Sequence, residues 1–389
     1  MKILFINRGL GTLYGGGESF DYNAAKYLQR LGHNLQILTA KPFYTQSKIK
    51  HESINVTFIT VPFLFRKIAY KLSKKFTRIS AFFFKFDELL FGYAALNWLR
   101  KHRHEQFDLI QILSLTWLAK HIIYKFNVPC VSWLPGIPGK IQQKHIRAMI
   151  NQKHFSLFSH GAPALFLKND MHIYNFVEVT PGIELNKIDK IKNYFDKKDF
   201  RNKIGIDEND IVGITVARLI PIKNIIFLIK ALQLVVQSHP EYKHLIVGDG
   251  PMRSELKDIV AHSNLKKKII FIGFVPNQDV YKFLQSADLF VLTSTYESFS
   301  IALLEAMANS LPVIVTDVGY MGTLVRQSNG GKIIESNNIK QLYEAIKLMV
   351  EDKNKRIEFG KNGRRYVEQF DWSIIAKKLE ALYYKTVNE

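Results

Sequence analysis

Two carboxylates, Glu297 and Glu305, bracket the start of an otherwise apolar helical pattern in Glu297-Ser-Phe-Ser-Ile-Ala-Leu-Leu-Glu305, directly after the strand-like run Asp288-Leu-Phe-Val-Leu-Thr293. A carboxylate on a buried helix face is costly unless something hydrogen-bonds to it. The pair therefore asks for a polyhydroxylated ligand. Ser300 is placed to cap the helix, so Glu297 stands just ahead of it and Glu305 about a turn and a half inside. The backbone N–H groups of Phe299, Ser300 and Ile301 then point the same way and suit an anionic phosphate. Ala302, Leu303, Leu304, Ala306 and Met307 surround Glu305, which argues against an ordinary solvated helix position.

Two cations elsewhere in the chain have the chemistry that such a phosphate needs. Arg218 and Lys223 follow the strand-like run Ile211–Ala217 in the spacing Arg-Leu-Ile-Pro-Ile-Lys. Arginine offers phosphate a bidentate fork and lysine a compact point charge. Gly15, Gly16 and Gly17 follow the first strand and precede a helix beginning near Glu18 or Ser19. Without Cβ atoms such a backbone can approach a ligand closely, although the Gly-x-Gly-x-x-Gly register of a dinucleotide site is absent. Gly273, Phe274 and Val275 fit an ordinary strand-to-helix turn as well as a backbone that meets a ligand. Asp207-Glu-Asn-Asp210 imitates an Asp-x-Asp motif but precedes its strand, so it reads as a solvated turn. No metal site is expected.

The elements that must position these residues alternate throughout. Ile3–Ile6, Leu35–Thr39, Val56–Val61, Asp108–Leu113, Cys130–Leu134, Phe155–Ser159 and Phe176–Thr180 read as strands of a first half. Ile211–Ala217, His244–Val247, Ile269–Ile272, Leu289–Thr293, Pro312–Thr316 and Gly331–Ile334 read as strands of a second. Helical patterns separate them, which predicts an α/β fold of two doubly wound parallel-sheet domains. The seam is expected between Gly182 and Ile204. The domains are then residues 1–183 and 184–369, with a last amphipathic helix, residues 370–389, opening at Phe370-Asp-Trp-Ser.

Gly15-Gly-Gly-Glu18, Leu31-Gly-His-Asn-Leu35, Pro181-Gly-Ile-Glu184, Val216-Ala-Arg-Leu219 with Lys223, Gly248-Asp-Gly-Pro251, Gly273-Phe-Val275, Ser286-Ala-Asp288 and Glu297-x7-Glu305 occur in one order along the chain. This ordered set resembles the family 4 retaining glycosyltransferases. The resemblance implies a GT-B fold, two facing Rossmann-like domains with the last helix crossing back to the first and the ligand between them. It implies that Glu297 contacts the donor sugar and Glu305 the ribose. Arg218 and Lys223 then clamp the diphosphate, Gly16 and Gly17 approach the β-phosphate or sugar, and Gly273 and Val275 meet the nucleobase. The family is metal-independent, and the implied donor is a nucleotide-diphosphate sugar, UDP- or GDP-linked, with no further cofactor. Many relatives carry a histidine where Leu134 or Pro135 stands here, and an Asp or His near Gln111–Ser114. His160, at the end of the strand Phe155–Ser159, is a candidate to take that place. Two alternatives remain on this plan: a noncatalytic nucleotide-sugar-binding relative and a sugar-nucleotide epimerase.

The formal charge of +20 predicts anionic partners. Arg66, Lys67, Lys71, Lys74, Lys75, Arg78 and Lys85 are interleaved with Phe65, Tyr70, Phe76 and Phe82–Phe84, a pattern that fits either an anionic membrane surface or a solvated helix over core aromatics. With acceptors of the resembled family often lipid-linked, the expectation is a glycan or lipid-linked acceptor in polysaccharide or lipopolysaccharide synthesis, and peripheral binding at the cytoplasmic leaflet. Nothing resembles a nucleic-acid reading module, so no nucleic acid is expected. The single cysteine, Cys130, excludes an internal disulfide and fits a reducing cytoplasm. Residues 1–6 are too short for a signal h-region, and Lys85, Asp87 and Glu88 interrupt the apolar stretch 82–99, which argues against a bilayer span.

Overall fold

The computed structural model describes residues 1–10, 16–41, 54–61 and 77–389. The chain forms two compact units, Met1–Gly182 together with Trp372–Glu389, and Ile183–Asp371. In unit 1 the strands are β1 (Lys2–Ile6), β2 (Asn34–Lys41), β3 (Asn55–Thr60), β4 (Leu109–Leu113), β5 (Cys130–Leu134), β6 (Phe155–Ser159) and β7 (Val177–Glu178). They pair in the order β3-β2-β1-β4-β5-β6-β7, parallel throughout.

Alternation explains why both faces are covered. Successive strand residues point to opposite faces, and β1 is apolar at each of them. Ile3 and Phe5 pack with Phe20, Ala24 and Leu28 of the helix Gly16–Arg30 and with Trp372, Ile375 and Leu379 of the helix Trp372–Asn388. Leu4 and Ile6 pack on the other face with Phe91, Ala95, Leu118 and Ile122 from the helices Thr77–Lys101 and Thr116–Phe126. A sheet buried on both sides requires such continuous apolar runs. Gly182 makes room for the last helix, because a Cβ there would meet the Trp372 ring at 2.6 Å.

Unit 2 repeats the plan with β8 (Ile211–Val216), β9 (Tyr242–Val247), β10 (Ile269–Gly273), β11 (Leu289–Leu292), β12 (Val313–Thr316) and β13 (Gly331–Ile334), in the order β10-β9-β8-β11-β12-β13. Its pairs are also parallel. Phe290 and Leu292 face the helices Asn277–Ser286 and Ile301–Ala308, while Leu289 and Val291 face Ile225–Ser238 and Ile339–Glu351. Among the described residues, Pro221–Ser238 is the one stretch long and apolar enough to cross a membrane. Its apolarity is that of a core helix, with Ile225, Phe227, Leu228, Ile229, Ala231, Leu232 and Val235 buried.

Asp288 anchors the amino ends of two central strands. Its carboxylate accepts from Val212 N at 2.8 Å, Arg201 Nη2 at 2.6 Å and Lys197 Nζ at 2.8 Å, so the Ser286-Ala-Asp288 motif serves packing at the end of the sheet away from the loops that follow its strands. The expectation of a solvated turn at residues 207–210 needs correction at Asp210. That carboxylate is buried, accepting from Asp207 N at 2.7 Å and pairing with Lys243 Nζ at 2.7 Å. A carboxylate so close to the sheet edge keeps its charge only with such partners.

In both sheets the strand order reverses beside the first strand, between β1 and β4 and between β8 and β11. Open α/β sheets bind ligands at such a switch point, outside the carboxyl ends of the strands. In unit 2 the loops that leave β8 and β11 there carry Arg218, Lys223 and Glu297.

Candidate active site

The loop after β8 turns through Pro221–Lys223, a short 3-10 turn ending at Asn224 in the left-handed region. Thr295 N donates to Ile222 O at 2.8 Å, and Thr293 Oγ1 donates to the carbonyls of Lys223 and Asn224 at 3.3 and 3.2 Å. These bonds stitch the β8 loop to the β11 loop. Lys223 Nζ consequently reaches Glu297 Oε1 and donates to it, and Ser294 Oγ donates to the same oxygen at 3.1 Å. The side chains of Lys223 and Glu297 are 16% and 12% exposed, so solvent screens the pair weakly. Gly319 completes the turn from the other side. It sits at φ +58°, and a Cβ there would lie 1.6 Å from the Glu297 carbonyl oxygen.

Arg218 lies at the opposite end of the same loop. Its backbone is fixed by Leu219 N donating to Asp249 O at 3.0 Å and Met252 N donating to Leu219 O at 3.1 Å. Gly248 and Gly250 allow this approach, since Cβ atoms there would fall 1.9 and 2.4 Å from the Ala217 and Leu219 carbonyl oxygens. The Arg218 side chain is exposed and makes no ion pair with another described residue. It is available to an anion.

Ser300 caps the helix Ile301–Ala308 and its Oγ accepts from Leu303 N at 3.3 Å. The N–H groups of Ser300 and Ile301 have no acceptor among the described residues, as the first groups of a helix must. Phe299 is buried and stacks on Tyr320 with ring centroids 5.9 Å apart. Glu305 lies one turn on, 7% exposed, with the Tyr281 hydroxyl hydrogen-bonded to it and Lys187 nearby. Burial pushes its pKa up to about 7, against the smaller lowering influence of Tyr281 and Lys187. Gly273 ends β10 at φ +89°, its carbonyl accepting from Gly248 N at 2.8 Å. Val275 is half-buried beyond the exposed Phe274.

The remaining candidates belong to unit 1. Gly16 and Gly17 form the first turn of the helix Gly16–Arg30 rather than the loop before it, and Gly15 lies outside the described residues. Gly17 packs against Leu113, where a Cβ would stand 3.5 Å from the side chain. His160 ends β6 at 3% exposure beside Trp133, ring centroids 6.0 Å apart, and burial lowers its pKa to about 4, so the imidazole is neutral at physiological pH. Leu134, one of the two residues matched to the histidine of the resembled family, is 1% exposed in the core. The basic residues from Arg66 to Lys75 lie outside the described residues, as do the side chains of Arg78 and Lys85.

Unit 2 thus presents a carboxylate neutralised by lysine, a second carboxyl poised near neutrality, an exposed guanidinium and open helix amides. Such a set can bind a phosphorylated polyol. Among the described residues no group of three or more His, Cys, Asp and Glu side chains could hold a metal ion. Gly319, Ser294 and Tyr281 were not legible as site residues, although a glycine three residues beyond the strand end Thr316 is a turn signal.

Residues 196–366, all within unit 2, match the family described as glycosyl transferases group 1. Over 213 residues the chain is 32% identical to the UDP-Gal:alpha-D-GlcNAc-diphosphoundecaprenol alpha-1,3-galactosyltransferase of Escherichia coli, covering 53% of this chain and 54% of that protein. It therefore spans about half the length of that curated relative. Among solved structures, the sucrose-phosphate synthase of Thermosynechococcus elongatus superposes with a TM-score of 0.79 at 19% identity, over 99% of this chain and 98% of the other. The Anabaena protein HepE, solved in complex with UDP, superposes with a TM-score of 0.74 at 19% identity, over 99% and 100%. These likenesses establish the fold as the GT-B type of two Rossmann-like parallel-sheet units.

Proposed function

We infer, from the match of residues 196–366 to the group 1 glycosyl transferases and the site geometry, that the chain moves a sugar from a nucleotide-diphosphate donor to a glycan or lipid-linked acceptor. The observation that carries this is the Lys223–Glu297 pair at the switch point of unit 2, beside a capped helix start. As the glycosidic bond breaks, negative charge grows on the leaving diphosphate and must meet positive groups already in place. Arg218, Lys223 and the amides of Ser300 and Ile301 supply them. Glu297 accepts from sugar hydroxyls while Lys223 and Ser294 orient it, and Glu305 takes the ribose. Gly273 and Val275 flank the base. Cations and helix dipole together do here what a divalent metal does elsewhere, which makes transfer metal-independent. Transfer retains anomeric configuration, and no nucleophilic carboxylate is required.

The galactosyltransferase relative acts, by its name, on a diphosphoundecaprenol-linked sugar, which supports a lipid-linked acceptor. A lipid-linked acceptor in turn supports peripheral binding at the cytoplasmic face of a membrane. On the helix Thr77–Lys101, Phe86, Leu89 and Tyr93 stand exposed at i, i+3 and i+7, one face of a helix, and the basic segment precedes it in sequence. A thermal-shift screen with UDP- and GDP-sugars tests the donor assignment. The wild type should be stabilised by one of them, and Glu297→Ala and Arg218→Ala should lose the response; equal responses in all three would overturn it. A second reading, binding of the donor without transfer, is favoured by Leu134 or Pro135 standing where the resembled family often has a histidine. Donor-dependent stabilisation without product across a broad acceptor panel would decide for it.

A further inference from the structure

A buried carboxyl in unit 1 plays no part in the centre described above. Asp21 lies in the second turn of the helix Gly16–Arg30 at 1% exposure. Asn7 Nδ2 donates to its Oδ2 at 2.7 Å, and Gln111 Nε2 donates to its Oδ1 at 2.7 Å. The far atom of each amide is also committed. Asn7 Oδ1 accepts from Gly9 N at 2.9 Å, and Gln111 Oε1 accepts from the Tyr383 hydroxyl. Asn7 follows β1, Gln111 lies within β4 and Tyr383 belongs to the last helix, so one hydrogen-bonded chain joins three separate parts of the unit. Inside a protein each buried donor needs its acceptor. An ionised carboxylate only accepts, so Asp21 turns both amide nitrogens toward itself and both amide oxygens outward.

We propose that Asp21 is a positioning residue for the backbone just after β1: through Asn7 it holds the Gly9 amide, and through Gln111 it ties that stretch to Tyr383 of the last helix. Its bearing on turnover rests on the glycosyltransferase reading; the positioning itself does not. The two ends of the chain are chemically unequal. Gly9 N–H can only donate, so Asn7 cannot reverse without losing that bond. A tyrosine hydroxyl can donate or accept, so Gln111 can. When Asp21 takes up a proton it belongs on Oδ1, the Gln111 amide reverses, its NH₂ donates to Tyr383, and Gly9 keeps its acceptor. Burial brings the Asp21 pKa up to about 7, with Asn7 and Gln111 opposing and Glu18 on the same helix adding to the rise. Tyr383 is the titratable group facing it from the last helix, and burial keeps that phenol protonated. Both charge states of Asp21 are therefore populated near neutrality, and Gly9 keeps the same acceptor in both.

Amide hydrogen exchange of the full chain, corrected for intrinsic rates at pH 6 and pH 8, tests this with no donor or acceptor present. In the wild type, Gly9 should show equal protection at the two pH values. Asp21→Asn imitates the protonated state, presenting its oxygen to Asn7 and its NH₂ to Gln111, and should keep Gly9 protection within about threefold. Asp21→Leu should lower that protection at least tenfold while the amides of Ile3 to Phe5 stay within threefold of wild type. Should Asp21→Leu fail to fold, the double variant Asp21→Asn with Tyr383→Phe replaces it. There the reversed Gln111 has nothing to donate to, and Gly9 protection should fall at least fivefold below either single variant. Unchanged Gly9 exchange in these variants, or a rise shared equally by Ile3 to Phe5, overturns the proposal and leaves the transfer reading standing.

Discussion

Lys223 and Glu297 should fail together. Glu297→Gln removes the charge but keeps the shape, leaving Lys223 without its carboxylate and Ser294 Oγ with a weaker acceptor. Both partners are well under a third exposed, so the bond is not discounted as a surface pair would be. A hydrogen bond to a charged group contributes about 1.5–3 kcal/mol, and each 1.36 kcal/mol is tenfold in rate, so kcat/KM should fall roughly 10- to 100-fold. Lys223→Met should cost a similar factor. If the two act as one unit, the double variant should be little worse than the poorer single one, because the second change removes a group whose partner is already gone. Initial-rate kinetics with the donor found by thermal shift provide the cycle. Losses that multiply, giving roughly 10²- to 10⁴-fold in the double variant, would refute the coupling. Singles within twofold of wild type would remove Glu297 from the site altogether.

Asp288→Ala should destabilise unit 2 by about 3–5 kcal/mol in chemical denaturation, since Arg201 is left buried without a counter-ion; a loss below about 1 kcal/mol would refute the anchoring role. Burial works to raise the Asp288 pKa, but Lys197 and Arg201 outweigh it and hold it below the usual carboxylate range. Its stabilisation is thus present above the unfolded value and lost as pH falls below that value through the folded one, a dependence Asp288→Ala should lack. Glu305 behaves oppositely. Its folded pKa, about 7, exceeds the reference 4.5, so its contribution declines as pH rises between those values, by roughly 3 kcal/mol in all. Glu305→Gln should therefore be the more stable protein at pH 8 while nucleotide affinity, which needs the ionised acceptor, rises from pH 6 to 8 in the wild type alone; calorimetric titration at both pH values checks this. Gly319→Ala should displace Glu297 and lower kcat/KM at least tenfold, because φ +58° and the 1.6 Å approach both exclude a Cβ; unchanged kinetics would show that the turn does not position the carboxylate.

The framework was legible because a parallel sheet covered on both faces leaves an uninterrupted apolar signature. Cys130–Leu134, Phe155–Ser159 and Gly331–Ile334 have the same bounds in the sequence and in the structure. Ser300 could be read as a cap for a similar reason, since the hydroxyl and the amide it accepts from, Leu303 N, are three residues apart. Contacts between distant segments left no such trace. Gln111 reads as one polar residue in an apolar strand, and only the fold reveals Asp21 on one side of it and Tyr383 on the other. Asp210 looked solvated because its lysine partner lies 33 residues away, on β9. Gly16 and Gly17 looked like loop because glycine is a poor helix former. The start of the helix overrides that propensity, with Gly17 lying close against Leu113.

Unit 1 is discontinuous, its sheet contributed by residues before Gly182 and one of its covering helices by Trp372–Glu389. On the ribosome, the first half must therefore wait through the synthesis of nearly two hundred further residues without the cover that Trp372, Ile375 and Leu379 give this face of its core, while Ile183–Asp371 can close on itself beforehand. A stop codon that removes Trp372–Glu389 should accordingly harm the half translated first.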